Sequence, residues 1–207
     1  ASASQNRRFF YAPSIGYHEE ETSGEEALYV AIGSGYRAHP LDETIDDYFF
    51  MIKDDTALYG QDPSEVLDMG DMIQLTGDMT AEFSDKGWAL PLTGDGEKAT
   101  ASPIIFGGRV FFTTYEPGVD GSGIEACEVK VGTSYLYIAR MVSGAPSSLD
   151  DNVDDSDPQN GGGVVAQRKR ELDTDVPPPT PTLVSDGENT LVVVGTEVVG
   201  EDDIGDT

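Results

Sequence analysis

One octapeptide in this sequence combines residue types that can bind a ligand. Residues 33–40 read Gly-Ser-Gly-Tyr-Arg-Ala-His-Pro, and the residues of interest in it are Gly33, Ser34, Gly35, Arg37, His39 and Pro40. Its glycines permit close backbone approach to a ligand, and Arg37 and His39 supply hydrogen-bond donors. A phosphate cradle is not predicted, because no helix with dinucleotide-binding spacing follows. The alternative that we favour is structural: Gly33 and Gly35 form a tight turn, and Arg37 pairs with Asp46 or Asp47.

Carboxylates that could serve in general acid–base catalysis follow the octapeptide. They are Asp42, Glu43, Asp46 and Asp47. Because the chain contains 39 acidic residues, such a cluster is weak evidence, and no basic or nucleophilic partner recurs beside it. Ser34 also lacks the Gly-x-Ser-x-Gly spacing of a nucleophile elbow. The residues therefore predict that the chain is not an enzyme.

A second acidic stretch offers oxygen donors for a calcium ion. Asp155, Asp157 and Gln159 alternate along it, and Ca²⁺ takes 6–8 oxygen ligands. Asn160, however, stands where an EF-hand-like loop needs its turn glycine, and Ala166 stands where the loop needs a bidentate glutamate. We therefore predict a solvated linker here and no cofactor in this chain, with Asp155 and Asp157 as the candidate metal ligands.

The composition excludes several classes of partner. The 39 acidic and 12 basic residues give a formal net charge of −27. Such a surface repels nucleic acid and anionic lipid, since binding to either depends on lysine and arginine. No apolar run approaches the ~20 residues that cross a bilayer. Cys127 is the single cysteine, so an intrachain disulfide is excluded, and His18 and His39 form no zinc-binding pattern with it.

The elements that must position these residues are predicted to be short strands. Runs rich in aromatic and β-branched residues are each followed by Gly, Asp or Pro, which favours strands over helices. The runs are Arg8–Ala12, Ala27–Gly33, Tyr48–Lys53, Met72–Thr76, Pro103–Phe106, Arg109–Tyr115, Ser134–Arg140, Val164–Gln167 and Thr190–Val199. Gly107-Gly108 supplies the positive φ angles of a two-residue hairpin turn. Helix is predicted only as a short segment capped by Asp62.

The sequence thus predicts an all-β fold with very little helix, built as a partial β-propeller-like array of antiparallel sheets. A chain of this length holds about four blades. We assign residues 1–142 to propeller blades and residues 143–163 to an acidic, Ser/Gly-rich flexible loop. We assign residues 164–200 to closing strands of the same domain and residues 201–207 to a disordered tail. The prolines of residues 177–181 predict an extended polyproline II segment.

Three groups of motifs resemble one known family. The first group is residues 6–13 (Asn-Arg-Arg-Phe-Phe-Tyr-Ala-Pro), residues 28–41 with the octapeptide, and residues 47–54. The second group is Lys86-Gly87-Trp88, Gly96-Glu97-Lys98, the 106–115 hairpin and residues 132–139. The third group is the proline run with Val193-Val194-Gly195-Thr196-Glu197. This combination resembles the C-terminal region of PilY-type proteins. Tyr48 departs from the family pattern, which often has Arg there. The calcium-binding Asp-x-Asp-x-Asp/Asn loop of some members is not found, and we expect it upstream of Ala1.

The resemblance implies a non-enzymatic module of type IV pilus assembly and adhesion. It implies a modified β-propeller in a larger secreted protein at the pilus tip or outer membrane, with Ca²⁺ possible in the full-length family protein. The expected partners are pilin or minor pilins, the remaining part of its own propeller, and a surface or host ligand. Two alternatives stay open: a structural subunit of an extracellular filament, and a propeller fragment of a secreted quinoprotein-like dehydrogenase.

Overall fold

The computed structural model describes residues 6–59, 66–77, 79–118, 132–147, 168–185 and 190–199. Over these ranges the chain forms thirteen β-strands in three sheets, and a 3₁₀ turn at Ala57–Tyr59. The predicted all-β class with antiparallel sheets is therefore confirmed. The predicted helix start at Asp62, Cys127, and the candidate metal ligands Asp155 and Asp157 lie outside the described residues, as does the predicted strand at residues 164–167.

The first sheet carries the amino-terminal motif. It contains β1 (Ser14–Glu19), β2 (Glu26–Gly33), β3 (Tyr48–Asp54), β4 (Ile73–Gln74) and β5 (Gly87–Pro91). The spatial order is β1-β2-β3-β5-β4, and only the β4–β5 pair among these is parallel. Along β2, buried residues alternate with half-buried ones, as expected where one face of a sheet packs on a core.

The second sheet is built around a long hairpin. It contains β6 (Lys98–Ala99), β7 (Ile104–Phe106), β8 (Arg109–Glu116), β9 (Thr133–Arg140) and β10 (Lys169–Leu172). The order is β10-β9-β8-β6, and β7 also pairs with β8. Gly107 and Gly108 connect β7 to β8 with φ angles of +56° and +72°. The predicted two-residue hairpin turn is confirmed.

The third sheet consists of β11 (Thr182–Ser185), β12 (Thr190–Val194) and β13 (Glu197–Val199), in that order. The prediction of a single strand over Thr190–Val199 is wrong, because this segment forms two strands, β12 and β13. Gly195, with a φ of +62°, lies in the turn that divides it into two antiparallel strands.

The second sheet is packed between the other two. Its inner residues alternate: Phe112 and Tyr137 contact the first sheet, whereas Phe111, Leu136 and Ile138 contact the third. The ring of Phe112 stacks on Phe49 of the first sheet with 3.6 Å between centroids. Both faces of this sheet are therefore buried, which explains why β8 and β9 carry almost continuous apolar runs.

One predicted strand, Arg8–Ala12, is wrong. Residues 6–13 run along the first sheet without entering a strand. The backbone N–H of Gly35 donates to the carbonyl oxygen of Arg8 at 2.8 Å. The side chains contact aromatic rings instead: Phe9 lies 6.0 Å from Phe50, and Phe10 stacks on Tyr36 at 5.8 Å. The aromatic residues of this segment thus serve contacts between rings, and the segment does not take part in the hydrogen bonding of a sheet.

Asp54 caps the 3₁₀ turn, and its removal gives a modest testable effect. Its Oδ1 accepts hydrogen bonds from the backbone N–H groups of Thr56 (2.9 Å) and Ala57 (3.0 Å) and from the Thr56 hydroxyl (2.8 Å). We expect Asp54→Ala to lower the free energy of unfolding by about 1 kcal/mol, as for other lost caps. Urea denaturation at neutral pH measures this.

These hydrogen bonds also hold the pKa of Asp54 below its usual value of 3.8. A lowered pKa means that the unfolded chain binds the proton more readily, so the stabilisation is complete above the usual pKa and is lost as the pH falls through the lowered one. The difference between the wild type and Asp54→Ala should therefore be constant from about pH 5 to 8 and shrink below about pH 4. A difference that grows in acid would contradict the assignment.

Candidate functional site

The octapeptide of residues 33–40 has a buried half and an exposed half. Gly33 ends β2, and Gly33, Ser34 and Gly35 are buried, whereas Arg37 and His39 are exposed and Pro40 is half-buried. The turn lies in the exposed half, where the N–H of His39 donates to the carbonyl oxygen of Tyr36 at 3.0 Å. The predicted tight turn at Gly33 and Gly35 is therefore misplaced by a few residues.

The two glycines are required for close approach to β6. A Cβ atom on Gly33 would lie 2.3 Å from the Cβ of Ala99, and one on Gly35 would lie 2.4 Å from the carbonyl oxygen of Ala99. The N–H of Ala99 donates to the carbonyl oxygen of Ser34 at 3.0 Å. The loop thus lies directly against the second sheet, and side chains on the glycines would separate them.

Ser34 and Asp47 form a buried polar pair beneath the loop. The Ser34 hydroxyl donates to Oδ1 of Asp47 at 2.6 Å and accepts from the backbone N–H of Tyr48 at 2.9 Å. Burial raises the pKa of Asp47, and the hydrogen bond from Ser34 and the nearby charge of Lys98 partly offset the rise. Both polar groups of the pair are satisfied by neighbours in the chain, as buried groups must be.

Lys98 joins the loop to the second sheet through a buried ammonium group. Its Nζ donates to the carbonyl oxygens of Pro40 (2.9 Å), Asp42 (2.8 Å) and Gly96 (2.5 Å). Burial lowers the pKa of Lys98, and the negative charges of Asp47, Asp42 and Glu43 oppose this shift. The cation therefore fixes the stretch from Pro40 to Asp42 and, together with Arg7, partly compensates the charge of Asp47.

Arg37 does not make the predicted ion pair with Asp46 or Asp47. Its guanidinium lies 5.5 Å from the ring centre of Tyr11. The carbonyl oxygen of Asp46 accepts from Nε of Arg7 at 2.7 Å, and the carboxylate of Asp47 is used by Ser34. His39, the other predicted donor, packs its ring on Tyr36 at 4.6 Å. The two predicted donors of the octapeptide thus lie at the surface, beside aromatic rings.

Glu97 points to the opposite side of β6 from Lys98 and is also buried. Its Oε1 accepts from the hydroxyls of Thr114 (2.6 Å) and Tyr137 (2.8 Å), and its Oε2 accepts from Lys169 at 2.8 Å. Lys169 belongs to β10, so this contact connects opposite edges of the second sheet. Burial, together with the negative charge of Glu97, raises the pKa of Tyr137.

The sequence indicated Gly96-Glu97-Lys98 only as part of a family resemblance and assigned it no role. No local pattern marks these residues as buried, because adjacent charges are common in a chain of which 25 % is charged. Only the folded chain shows that Glu97 and Lys98 are both buried. We conclude that the loop, Asp47 and Lys98 form a polar tie between the first and second sheets, whereas the side-chain contacts of Glu97 hold the second sheet together.

The outward face of the first sheet is apolar. We call it the first end face, and it carries Ile15, Tyr17, Leu28, Val30, Ile32 and Ile52; Phe50 lies on the same side but is buried against Met72. Ile15 lies 64 % exposed and Tyr17 51 % exposed. The register places Ile15 beside Val30 and Val30 beside Ile52, so that these side chains form one continuous row across three strands.

The outward face of the third sheet is also apolar. This second end face carries Val184, Leu191, Val193 and Val198, with Val184 49 % and Val198 50 % exposed. The stack of three sheets therefore presents apolar surface at both ends. Contiguous apolar surface on a sheet marks a place where another element or protein packs.

The described part of the chain holds neither a metal-binding cluster nor a membrane-spanning helix. Within those ranges, no group of three or more His, Cys, Asp or Glu side chains is placed to hold a metal ion. The same residues include no helix with the length and hydropathy of a membrane span.

Comparison with known proteins gives one informative relative. Over 67 residues the chain is 36 % identical to the Type IV pilus biogenesis factor PilY1 homolog of Xylella fastidiosa. The similarity is to a pilus protein. It covers 30 % of this chain and 4 % of the relative, so the chain spans only a small part of that protein's length. No family model matches the chain, and no solved structure matches it at a significant level. The PilY-type resemblance of the motifs is thus supported over part of the chain.

Proposed function

We propose that this chain is a non-enzymatic contact module of type IV pilus assembly and adhesion, displayed at the cell surface. The observation that carries the proposal is the local identity to the PilY1 homolog. Its partners are pilin or minor pilins, further sheets of its own polypeptide, and a surface or host ligand.

The two end faces support a module that works by packing against other β-sheets. Both are sheet faces with exposed aliphatic side chains, and a sheet with one uncovered apolar face gains stability when another sheet packs on it. The aligned stretch is only 4 % of the relative, so proteins of this kind contain ample further chain to supply such sheets. We propose that the three sheets are blades of a propeller-like array with about four blades in this chain.

Complementation in a piliated bacterium tests the proposal. The native protein is deleted and restored as wild type, as Ile15→Glu/Tyr17→Glu on the first end face, or as Val66→Glu. Val66 is 95 % exposed and serves as the control for adding charge to an exposed apolar position. We expect surface pili and pilin copurification to be lost on deletion, restored by the wild type and Val66→Glu, and reduced by the end-face variant. Normal piliation after deletion, with no pilin copurifying, would contradict the proposal.

A filament subunit is the second candidate, because apolar surface at both ends of the stack also suits head-to-tail association. In that case the purified protein should form long polymers by itself, and Ile15→Glu/Tyr17→Glu should abolish them without any pilin being present. Sedimentation velocity over a range of concentrations distinguishes the two candidates. The quinoprotein-like dehydrogenase alternative stays a prediction, tested by dye-linked substrate oxidation with the full-length protein.

A further inference from the structure

Three arginines lie against tyrosine rings near the amino terminus. The guanidinium of Arg7 lies 4.4 Å from the ring centre of Tyr48, that of Arg8 lies 3.7 Å from Tyr36, and that of Arg37 lies 5.5 Å from Tyr11. We call these six residues the arginine–tyrosine surface. Stacking on an aromatic face leaves the edge of a guanidinium, with its N–H donors, directed away from the ring.

In the part of the chain that the structure describes, neither Arg8 nor Arg37 forms an ion pair with a carboxylate, whereas the charge of Arg7 acts on the buried carboxylate of Asp47. Arg7 donates one hydrogen bond, to the carbonyl oxygen of Asp46. The chain as a whole contains 39 acidic and 12 basic residues, so an arginine here has many possible internal partners. Arg8 and Arg37, which stack on rings instead of pairing with acids, keep donors available for a carboxylate from outside, and of the two Arg37 lines the groove described next.

A groove of about 520 Å³ adjoins this surface. Tyr11, Arg37 and Pro40 line one side, and Pro177, Pro178 and Thr180 line the other. The proline wall is fixed in place, because the hydroxyls of Thr100 and Thr113 donate to the carbonyl oxygens of Pro178 (3.3 Å) and Pro179 (3.1 Å). Prolines offer ring surface and no N–H donor. The groove thus combines apolar walls with one exposed cation, Arg37.

We infer that this groove binds an extended peptide segment of a partner protein that carries a carboxylate beside a proline or aromatic residue. Arg37 binds the carboxylate through paired N–H donors, and the ring of the ligand packs between Tyr11 and Pro177. Extended polyanions are poor ligands, because the net charge of −27 repels them beyond the groove. A short acidic peptide contacts Arg37 within about one Debye length, roughly 8 Å at physiological salt, and escapes most of that repulsion.

Fluorescence anisotropy with a labelled peptide of Glu-Pro-Tyr repeats tests the inference. We expect saturable binding to the wild-type protein, and loss of binding when Gln replaces Glu in the peptide. Arg37→Gln should weaken binding about tenfold or more, since it removes paired hydrogen bonds between two charged groups. The affinity of Arg37→Lys for the peptide should lie between those of the wild type and Arg37→Gln, because lysine keeps the charge but not the paired hydrogen-bond geometry.

Lys86→Gln is the matched control, since Lys86 is an exposed cation outside the groove, and it should bind the peptide as the wild type does. Three results would overturn the inference: no saturable binding, equal binding of the Gln peptide, or an equal loss in Lys86→Gln. If the unlabelled protein self-associates and Arg37→Gln abolishes that association, the groove binds a second copy of this chain. That result would also overturn the inference. Peptide binding should persist in Ile15→Glu/Tyr17→Glu, so the outcome is independent of the pilus proposal.

Discussion

Lys98→Met should lower the free energy of unfolding by about 3 kcal/mol or more, because each buried acceptor left without its donor costs about 1–3 kcal/mol. The substitution leaves the carbonyl oxygens of Pro40, Asp42 and Gly96 without their donor. It also removes one of the two cations whose charges act on the buried carboxylate of Asp47, and leaves only Arg7. Urea denaturation followed by the fluorescence of Trp88, the single tryptophan and fully buried, measures the change.

Two comparisons separate these causes. Lys86→Met removes an exposed lysine and should change stability by no more than about 0.5 kcal/mol. The double variant Lys98→Met/Asp47→Asn should recover part of the loss, because the buried charge that Lys98 partly compensated is then absent. If the double variant is as unstable as the sum of the single ones, Asp47 and Lys98 are not coupled.

The same pair predicts a pH dependence with a definite sign. Asp47 has a raised pKa, so the folded chain binds its proton more readily than the unfolded chain does. The destabilisation from its charge is absent below the usual aspartate pKa of 3.8 and complete above the raised one. Without Lys98 the pKa should rise further, so the stability gap between Lys98→Met and the wild type should narrow as the pH falls from about 7 towards 4. A gap that widens would contradict this role for Lys98.

Gly35→Ala should destabilise the fold by about 3 kcal/mol, at the upper end of the usual range for overpacking. The new Cβ would lie 2.4 Å from the carbonyl oxygen of Ala99, which is backbone and cannot rotate away. Hydrogen exchange should show faster exchange at the N–H of Ala99, because its hydrogen bond to the carbonyl oxygen of Ser34 is the contact that must lengthen.

Gly24→Ala is the comparison for this prediction. Gly24 has a φ of +68°, and a Cβ atom on it would meet no other atom within 4 Å. Alanine there is therefore penalised only by the left-handed backbone, at about 1 kcal/mol. An equal loss of stability in Gly35→Ala and Gly24→Ala would show that the loop can move away from β6 without a penalty. It would also remove the argument that the octapeptide is a tie between sheets.

The sequence could predict a strand where neighbouring residues alone set its pattern, as when an apolar run ends at a turn residue. The β7–β8 hairpin follows from Gly107-Gly108 between two apolar runs, and its positive φ angles match. Arg8–Ala12 has a similar composition but is not a strand, because its rings contact Phe50 and Tyr36. Such contacts depend on residues that are distant in the sequence, and no local pattern reports them.

The candidate site was predictable in position but not in mechanism. The octapeptide was recognised from its own residues, yet its glycines serve an approach to Ala99 that lies more than sixty residues away. Lys98 and Glu97 contact groups from Pro40 to Lys169. Only the arrangement of the sheets brings these groups together. The arginine–tyrosine surface was missed because the expectation for Arg37 was an acidic neighbour, which the chain offers in excess.

The position of β10 affects the order in which the chain can acquire its native structure. This strand, Lys169–Leu172, pairs with the edge of β9. The side chains that cover Phe111, Leu136 and Ile138 come from the same late part of the sequence and include Leu172, Val192 and Val199. A chain that leaves the ribosome or a secretion channel amino end first therefore exposes that apolar surface until residues 172–199 have emerged. During that interval the uncovered apolar surface is prone to aggregation, as transiently exposed hydrophobic surface generally is.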